Sequence, residues 1–317
     1  MTVPDSEKKP SPAALWAGLA TIYLLWGSTY LGIKVAVETL PPFLMASARF
    51  LLAGGLLLGW IVITRGFQAT RRQWIDNSLI GGLLLLGGNG MVAWAEQKIP
   101  SGIATLIISV SPLFIVLLDW LVLVIGRDPT RGTRPNLALF VGLTLGFIGL
   151  AVLVGPSLGP GATQFDPWRV GGLVLACFSW GLGSIYTRYA RTPAEPFTAS
   201  ALQMLAGSLW LLLVSVLLKE PAHFHWADVS ARSLWAWAYL VVAGSLVGFT
   251  TFVWLMKHST PARVSTYAYV NPIVAVFLGW LLAHEPVGPR MFVAAGIIIT
   301  GVAIITTAKS IKAQAKK

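Results

Sequence analysis

Hydrophobic and polar positions divide the chain into ten long apolar runs separated by short polar or Pro/Gly-containing turns. The runs are Leu15–Val37, Phe43–Thr64, Ile75–Ala95, Ser101–Ile125, Leu137–Val154, Val170–Tyr189, Phe197–Leu218, Leu234–Met256, Val264–Ala283 and Met291–Ala308. Each is apolar all round and approaches the 20 or so residues that a helix needs to cross a bilayer. The turns carry helix-ending residues, such as "LPP" at 40–42, "GPSLGPG" at 155–161 and "EP" at 195–196. Strands of a membrane barrel are excluded, because they alternate apolar and polar residues over about ten positions. The pattern predicts an all-α integral membrane protein with ten transmembrane helices. Residues 1–14 are expected to form a disordered cytoplasmic tail, 15–155 and 168–308 two five-helix units, and 309–317 a basic cytoplasmic tail.

Composition supports that pattern. Of 317 residues, 56% are hydrophobic and 11% charged, whereas about a quarter of a soluble domain is charged. Such a chain cannot build a water-facing shell. Cys177 is the single cysteine and lies in an apolar run, so neither an intramolecular disulfide nor a cysteine-based metal site can form. The net charge of +11 raises nucleic acid as a partner until the cations are placed. With the N-terminus cytoplasmic, the inner segments hold Lys8, Lys9, Arg65, Arg71, Arg72, Arg127, Arg131, Arg134, Arg188, Arg191, Lys257, Arg263, Lys309, Lys312, Lys316 and Lys317. The outer loops hold only Lys98, Arg169, Lys219, Arg232 and Arg290, while Lys34 and Arg49 lie within spans. That asymmetry is the positive-inside pattern. It leaves no basic stripe for nucleic acid, and the surrounding partner is the lipid bilayer.

The chain is also written twice. Trp26-Gly27 in "LWGSTYLGIK" (25–34) returns as Trp180-Gly181 in "SWGLGSIYTRY" (179–189), and "ASARFLLAG" (46–54) returns as "ASALQMLAG" (199–207). Trp94 aligns with Trp254, Pro112 with Pro272, and Trp120 with Trp280. Each copy holds an odd number of spans, so the second enters the membrane from the opposite side. The expected fold is therefore two inverted five-helix repeats, an arrangement typical of alternating-access transporters with a site between the halves. A duplicated structural or enzymatic membrane protein is the competing reading.

The stretches "WGSTY" (26–30), "ARFLLAG" (48–54), "GNGMV" (88–92), "AEQKIPSG" (95–102) and "YAYVNPIVAV" (267–276) resemble the ten-helix branch of the drug/metabolite transporter superfamily, built from two EamA-type domains. The resemblance spans about residues 14–308. It implies a secondary transporter of the bacterial inner membrane that exports small molecules such as amino acids, related metabolites or drugs, often with proton coupling. The first-half copy of the Asn271-Pro272 pair is Ser111-Pro112, so nothing tied to the asparagine carries over there.

Polar residues inside spans mark interior surfaces, because facing lipid costs several kcal/mol. Trp26, Tyr30 and Lys34 recur every four residues and form one helical stripe. Lys34, Arg49 and Glu96 share the outer half of the first repeat. Either they hold a zwitterionic substrate, its carboxylate on Lys34 or Arg49 and its ammonium on Glu96, or Arg49 and Glu96 form a structural ion pair while Lys34 snorkels to the interface. Asp119, whose repeat mate is Gly279, either titrates during transport or pairs with Arg127 near the inner headgroups; Glu96 and Asp119 are the candidates for proton coupling. Pro112 and Pro272 are expected mid-helix, breaking spans 4 and 9 at matched positions beside Ser111, Tyr267 and Asn271. Asn89 among glycines in span 3 completes the expected pathway, although those glycines equally suit close helix packing. His258 and His284 sit at span ends, no metal constellation or catalytic motif is present, and neither enzyme activity nor a cofactor is expected. Aromatic contacts suit a substrate with an apolar part, such as an aromatic or branched amino acid. The Gly142–Gly146 GxxxG either joins two chains as a homodimer or packs inside a monomer. A passive channel remains the alternative to a carrier.

The charge bias predicts that both termini are cytoplasmic. A C-terminal alkaline-phosphatase fusion should be inactive and a fluorescent-protein fusion bright; the reverse pair of results contradicts the topology.

Overall fold

The computed structural model describes residues 10–126, 137–154, 166–187, 189–193, 195–259, 264 and 266–314, and every regular element among them is helical. Seven helical units are long and apolar enough to cross a membrane. They are α1 (Pro12–Ala36), α2 (Pro42–Thr64), α3 (Arg71–Glu96), the consecutive α4 (Ser101–Ile108) and α5 (Ser111–Gly126), α7 (Pro167–Tyr186), α8 (Pro196–Leu217) and α9 (Ala231–His258). Three units contain shorter apolar stretches: α6 (Leu137–Val154), α10 (Tyr267–Ala283) and α11 (Pro289–Gln314). They fall where spans 5, 9 and 10 are expected. Large side chains such as Ile63, Ile125, Leu137 and Trp168 stand exposed on the outside, as a lipid-facing surface requires and a water-facing one does not tolerate in such density.

Helix boundaries follow from local chemistry. Pro occupies the first turn of α1, α2, α7 and α8, where its missing N–H costs no hydrogen bond. Ser11 caps α1, which therefore starts inside the stretch expected to be tail. α11 likewise runs on to Gln314, past the expected boundary at 308. Asp166 and Glu195 cap α7 and α8 from their own N-cap positions, accepting from Trp168 N and Thr198 N at 2.9 and 2.7 Å.

Two other helices are capped from far away in sequence. Glu220 accepts from Phe43 N and Leu44 N (3.3 and 2.8 Å) at the start of α2. Glu285 accepts from Ser101 N, Ser101 Oγ and Gly102 N (2.8, 2.9 and 3.1 Å) at the start of α4. A carboxylate at a helix N-terminus satisfies orphan N–H groups and meets the positive end of the helix dipole. Here each such bond also ties one half of the chain to the other.

The helices are interrupted at three kinds of place. α3 and α9 each contain a π-helical segment, Gly82–Gly90 and Leu240–Phe249. Pro272 lies inside α10. Pro112 differs from expectation: it is the second residue of α5, and the break in the fourth span lies upstream, at Ser109 and Val110. Pro is at ease there because first-turn N–H groups have no intrahelical acceptor, so the two matched prolines do not interrupt their helices alike.

Packing pairs α2 with α8, α6 with α11, α1 with α10, and α5 with α7, while α1 lies on the π segment of α9 and α7 on that of α3. Glycines permit the closest approaches. A Cβ on Gly301 of α11 would come within 2.7 Å of Gly142 O and 3.1 Å of Gly146 N in α6. The GxxxG face is thus used inside the chain.

A Cβ on Gly81 would come 2.4 Å from Gln203 O, whereas one on Gly55 meets nothing within 4 Å. Gly81→Ala should therefore destabilise the protein by about 1–3 kcal/mol through overpacking against backbone, and Gly55→Ala should raise stability by up to about 1 kcal/mol through helix propensity. Thermal unfolding in detergent checks the pair; equal shifts contradict the packing.

Candidate functional site

A central cavity lies where α1, α2, α3, α7 and α9 meet the α4–α5 break and the start of α10. It is lined by Trp26, Thr29, Tyr30, Ile33, Arg49, Phe50, Gly88, Asn89, Val92, Ile108, Ser111, Ala176, Trp180, Gly244, Phe249 and Tyr267. Six of the residues expected along the pathway thus come together: Trp26, Tyr30, Arg49, Asn89, Ser111 and Tyr267. The helical stripe of α1 delivers Trp26 and Tyr30 together with Ile33, one turn on.

Aromatic rings form one wall. Trp26 meets Trp180 edge-on with centroids 5.8 Å apart, and Tyr267 edge-on at 5.3 Å. Phe252 backs both tryptophans, at 4.9 Å from Trp26 and 5.8 Å from Trp180. Glycines let the two tryptophans in. A Cβ on Gly88 would lie 2.9 Å from Trp180 Cε3, and one on Gly248 would lie 2.7 Å from Trp26 Nε1. Gly88 aligns with Gly248 and Trp26 with Trp180, so each half supplies the glycine that receives the other's ring.

The cation of the cavity is Arg49. Its Nε donates to Ser245 Oγ at 2.7 Å, its guanidinium carbon lies 4.7 Å from the centre of the Phe50 ring, and a Cβ on Gly244 would come 2.6 Å from Nη2. Its exposure is 4%. Among the described residues no carboxylate pairs with it.

The expected pairing of Arg49 with Glu96 is therefore not made. Glu96 ends α3 fully buried, and among the described residues neither of its carboxylate oxygens has a hydrogen-bond partner. Lys34 Nζ donates to the backbone carbonyl of Glu96 at 2.7 Å. Neither Lys34 nor Glu96 lines the cavity, so the arrangement with a substrate ammonium on Glu96 is not supported by this geometry. The two residues are held at the end of α3 instead, where a lysine satisfies a free helix C-terminal carbonyl.

Pro112, Asn271 and Pro272 are not among the lining residues. With its amide oriented to satisfy both neighbours, Asn271 donates to Tyr23 O and Tyr267 O at 3.2 Å. Asp119 is 1% exposed in α5 and engaged with a partner; Arg127, its expected partner, lies outside the described residues.

Several contributors were not expected from the sequence. Cys177 Sγ donates to Ile107 O at 3.5 Å and lies 3.8 Å from Ile108 O, while Ser111 Oγ donates to Ile108 O at 2.6 Å. Together they supplement the backbone bonds at the α4–α5 break, where Ile107 O also accepts from Val110 N at 3.1 Å, and keep carbonyls that lipid could not satisfy bonded. Tyr23, the repeat counterpart of Cys177, bonds Thr266 at the start of α10. Asp76 at 1% exposure accepts from Tyr186 Oη (2.9 Å) and Arg191 N (2.8 Å), joining α3 to the end of α7. A polar residue inside an apolar run was the one sequence signal for Ser245 and Cys177; the partners come from elements too distant to infer.

These features define an integral membrane protein whose cavity sits between two sets of helices joined by reciprocal contacts. The chain belongs to the EamA-like transporter family, whose model matches residues 12–155 and 168–307. It is a membrane transporter. It is 34% identical to "Uncharacterized inner membrane transporter YedA" of Escherichia coli (strain K12) over 296 residues, covering 93% of this chain and 91% of that one. It is 21% identical to "Uncharacterized transporter YoaV" of Bacillus subtilis (strain 168), covering 90% and 94%. A solved crystal structure with 23% identity shares the fold with a TM-score of 0.66, over 94% of this chain and 99% of that chain.

Glu285→Gln should weaken the cap on α4. Loss of the charge-assisted bonds and of the charge at the helix N-terminus predicts about 1–2 kcal/mol lower stability. Thermal unfolding checks this, and an unchanged midpoint contradicts the cap.

Proposed function

We propose that the protein is a secondary transporter that works by alternating access, with ten transmembrane helices arranged as two inverted five-helix repeats about the central cavity. The observation that carries this reading is the reciprocal packing of Gly88 on Trp180 and Gly248 on Trp26. It is accompanied by π segments at corresponding places in α3 and α9 and by Gly27 packing on Val274 where its mate Gly181 packs on the 114–118 turn of α5, near Phe114, Ile115 and Leu118. Two halves that meet through equivalent contacts can exchange conformations, which supplies one state open to each side. The expected location is the bacterial inner membrane with both termini cytoplasmic, supported by the lysine and arginine bias and by the name of the 34%-identical relative. Export of a small metabolite is the expected direction. Glu96, buried without a hydrogen-bond partner among the described residues, is the leading group for proton coupling.

The test places a cysteine at Ser111, which lines the cavity, in a Cys177→Ser background that keeps a donor for the Ile107 carbonyl. A membrane-impermeant maleimide should label from one side at a time, and conditions that raise labelling from one side should lower it from the other. Simultaneous labelling from both sides supports a channel, and no labelling from either side places the pathway elsewhere.

A further inference from the structure

We propose that Arg49 is the docking group for a substrate carboxylate, and that the cavity takes an organic monoanion with an apolar body. This rests on the transport reading of the same cavity.

Arg49 is a buried cation within a membrane-spanning helix, a placement that is expensive unless a negative charge meets it. Of its hydrogen-bond donors only Nε has an acceptor among the described residues, Ser245 Oγ, and the guanidinium face lies on the Phe50 ring. The four remaining N–H donors of the guanidinium fork have no hydrogen-bond acceptor among the described residues, although Arg49 lines the cavity. A fork of this kind matches a carboxylate with two parallel hydrogen bonds.

The repeat shows that packing does not require a cation here. The mate of Arg49 in the second half is Leu202, fully buried. The helical framework therefore accommodates an apolar residue at the equivalent position, and the charge is specific to one half. Gly244 leaves the space that Nη2 occupies.

Ligand class follows from what else lines the cavity. Among the described lining residues there is one cation and no Asp or Glu. One guanidinium neutralises a monoanion but leaves a phosphate dianion half compensated. With no carboxylate to receive it, an ammonium group gains no ion pair, so an amino group is not a required feature of the ligand. Trp26, Trp180, Phe249 and Tyr267 supply apolar surface, and Asn89 and Ser111 supply polar contacts beside it.

Equilibrium binding to the full-length protein in lipid nanodiscs tests this with three probes of similar shape: benzoate, benzamide and benzylamine, by isothermal titration at pH 7. Benzoate should bind saturably and at least tenfold more tightly than benzamide, with benzylamine weakest. Arg49→Gln should reduce benzoate affinity to that of benzamide while benzamide affinity stays within twofold. If Arg49→Gln does not fold, the ranking of the probes on the unaltered protein decides, and Arg49→Lys, which keeps the charge but loses the fork, should weaken benzoate at least fivefold. Equal affinity for benzoate and benzamide, a preference for benzylamine, no benzoate binding, or benzoate affinity unchanged in Arg49→Gln overturns the proposal. Binding at equilibrium needs no gradient. Benzoate selectivity together with two-sided labelling at Ser111 would thus retain the carboxylate site and reject alternating access, and one-sided labelling without selectivity would do the opposite.

Discussion

The centre of the molecule depends on two close approaches, Trp180 onto Gly88 and Trp26 onto Gly248. With no hydrophobic effect between helices in lipid, association relies on dispersion contacts and hydrogen bonds, and small residues set how near two helices can come. A side chain at either glycine would push α3 from α7 or α9 from α1. The aromatic wall would then separate and the cavity would lose its shape. The π segments that contain both glycines widen the helix locally, and such segments are frequent at functional sites.

On this repeated scaffold the chemistry is not repeated. Arg49 stands opposite Leu202 in the alignment of the halves, Asn89 opposite Phe249, and Ser111 opposite Asn271. The apolar members fill space, whereas Arg49, Asn89 and Ser111 turn polar atoms toward one cavity. A repeated scaffold places equivalent helices on both sides of the cavity, while the unlike lining residues give a bound solute one preferred orientation. Some polar ties between the halves lie near the ends of the helices, where Glu220, Glu285 and Asp76 bind backbone N–H groups of distant elements, while others, such as Arg49 to Ser245 and Ser47 to the Ser208 carbonyl, lie within the spans.

Much of this was legible from residue order. Apolar run length located the helices, since a bilayer imposes one length on every crossing. The repeated Trp-Gly pairs put Trp26 and Trp180 at matched positions, but nothing in residue order said that their rings would pack on Gly248 and Gly88. What was not legible depends on partners far apart in the chain. Arg49 and Glu96 looked like a pair because they are the opposite charges of one outer half, yet α9 brings Ser245 to the arginine. Pro112 looked like a mid-helix kink, but the chain breaks before it and uses the proline to begin α5. Glu285 carried no sign that it would cap a helix of the other half.

Pulsed electron paramagnetic resonance on spin-label pairs across the two halves measures the proposed motion most directly. The exposed positions Gln68 and Arg191 report one membrane face, and the exposed positions Lys98 and Asp228 the other. As pH and added solute are varied, alternating access predicts two distance populations on each face, with one face widening as the other narrows. A single invariant distance on both faces, or both faces widening together, would contradict it.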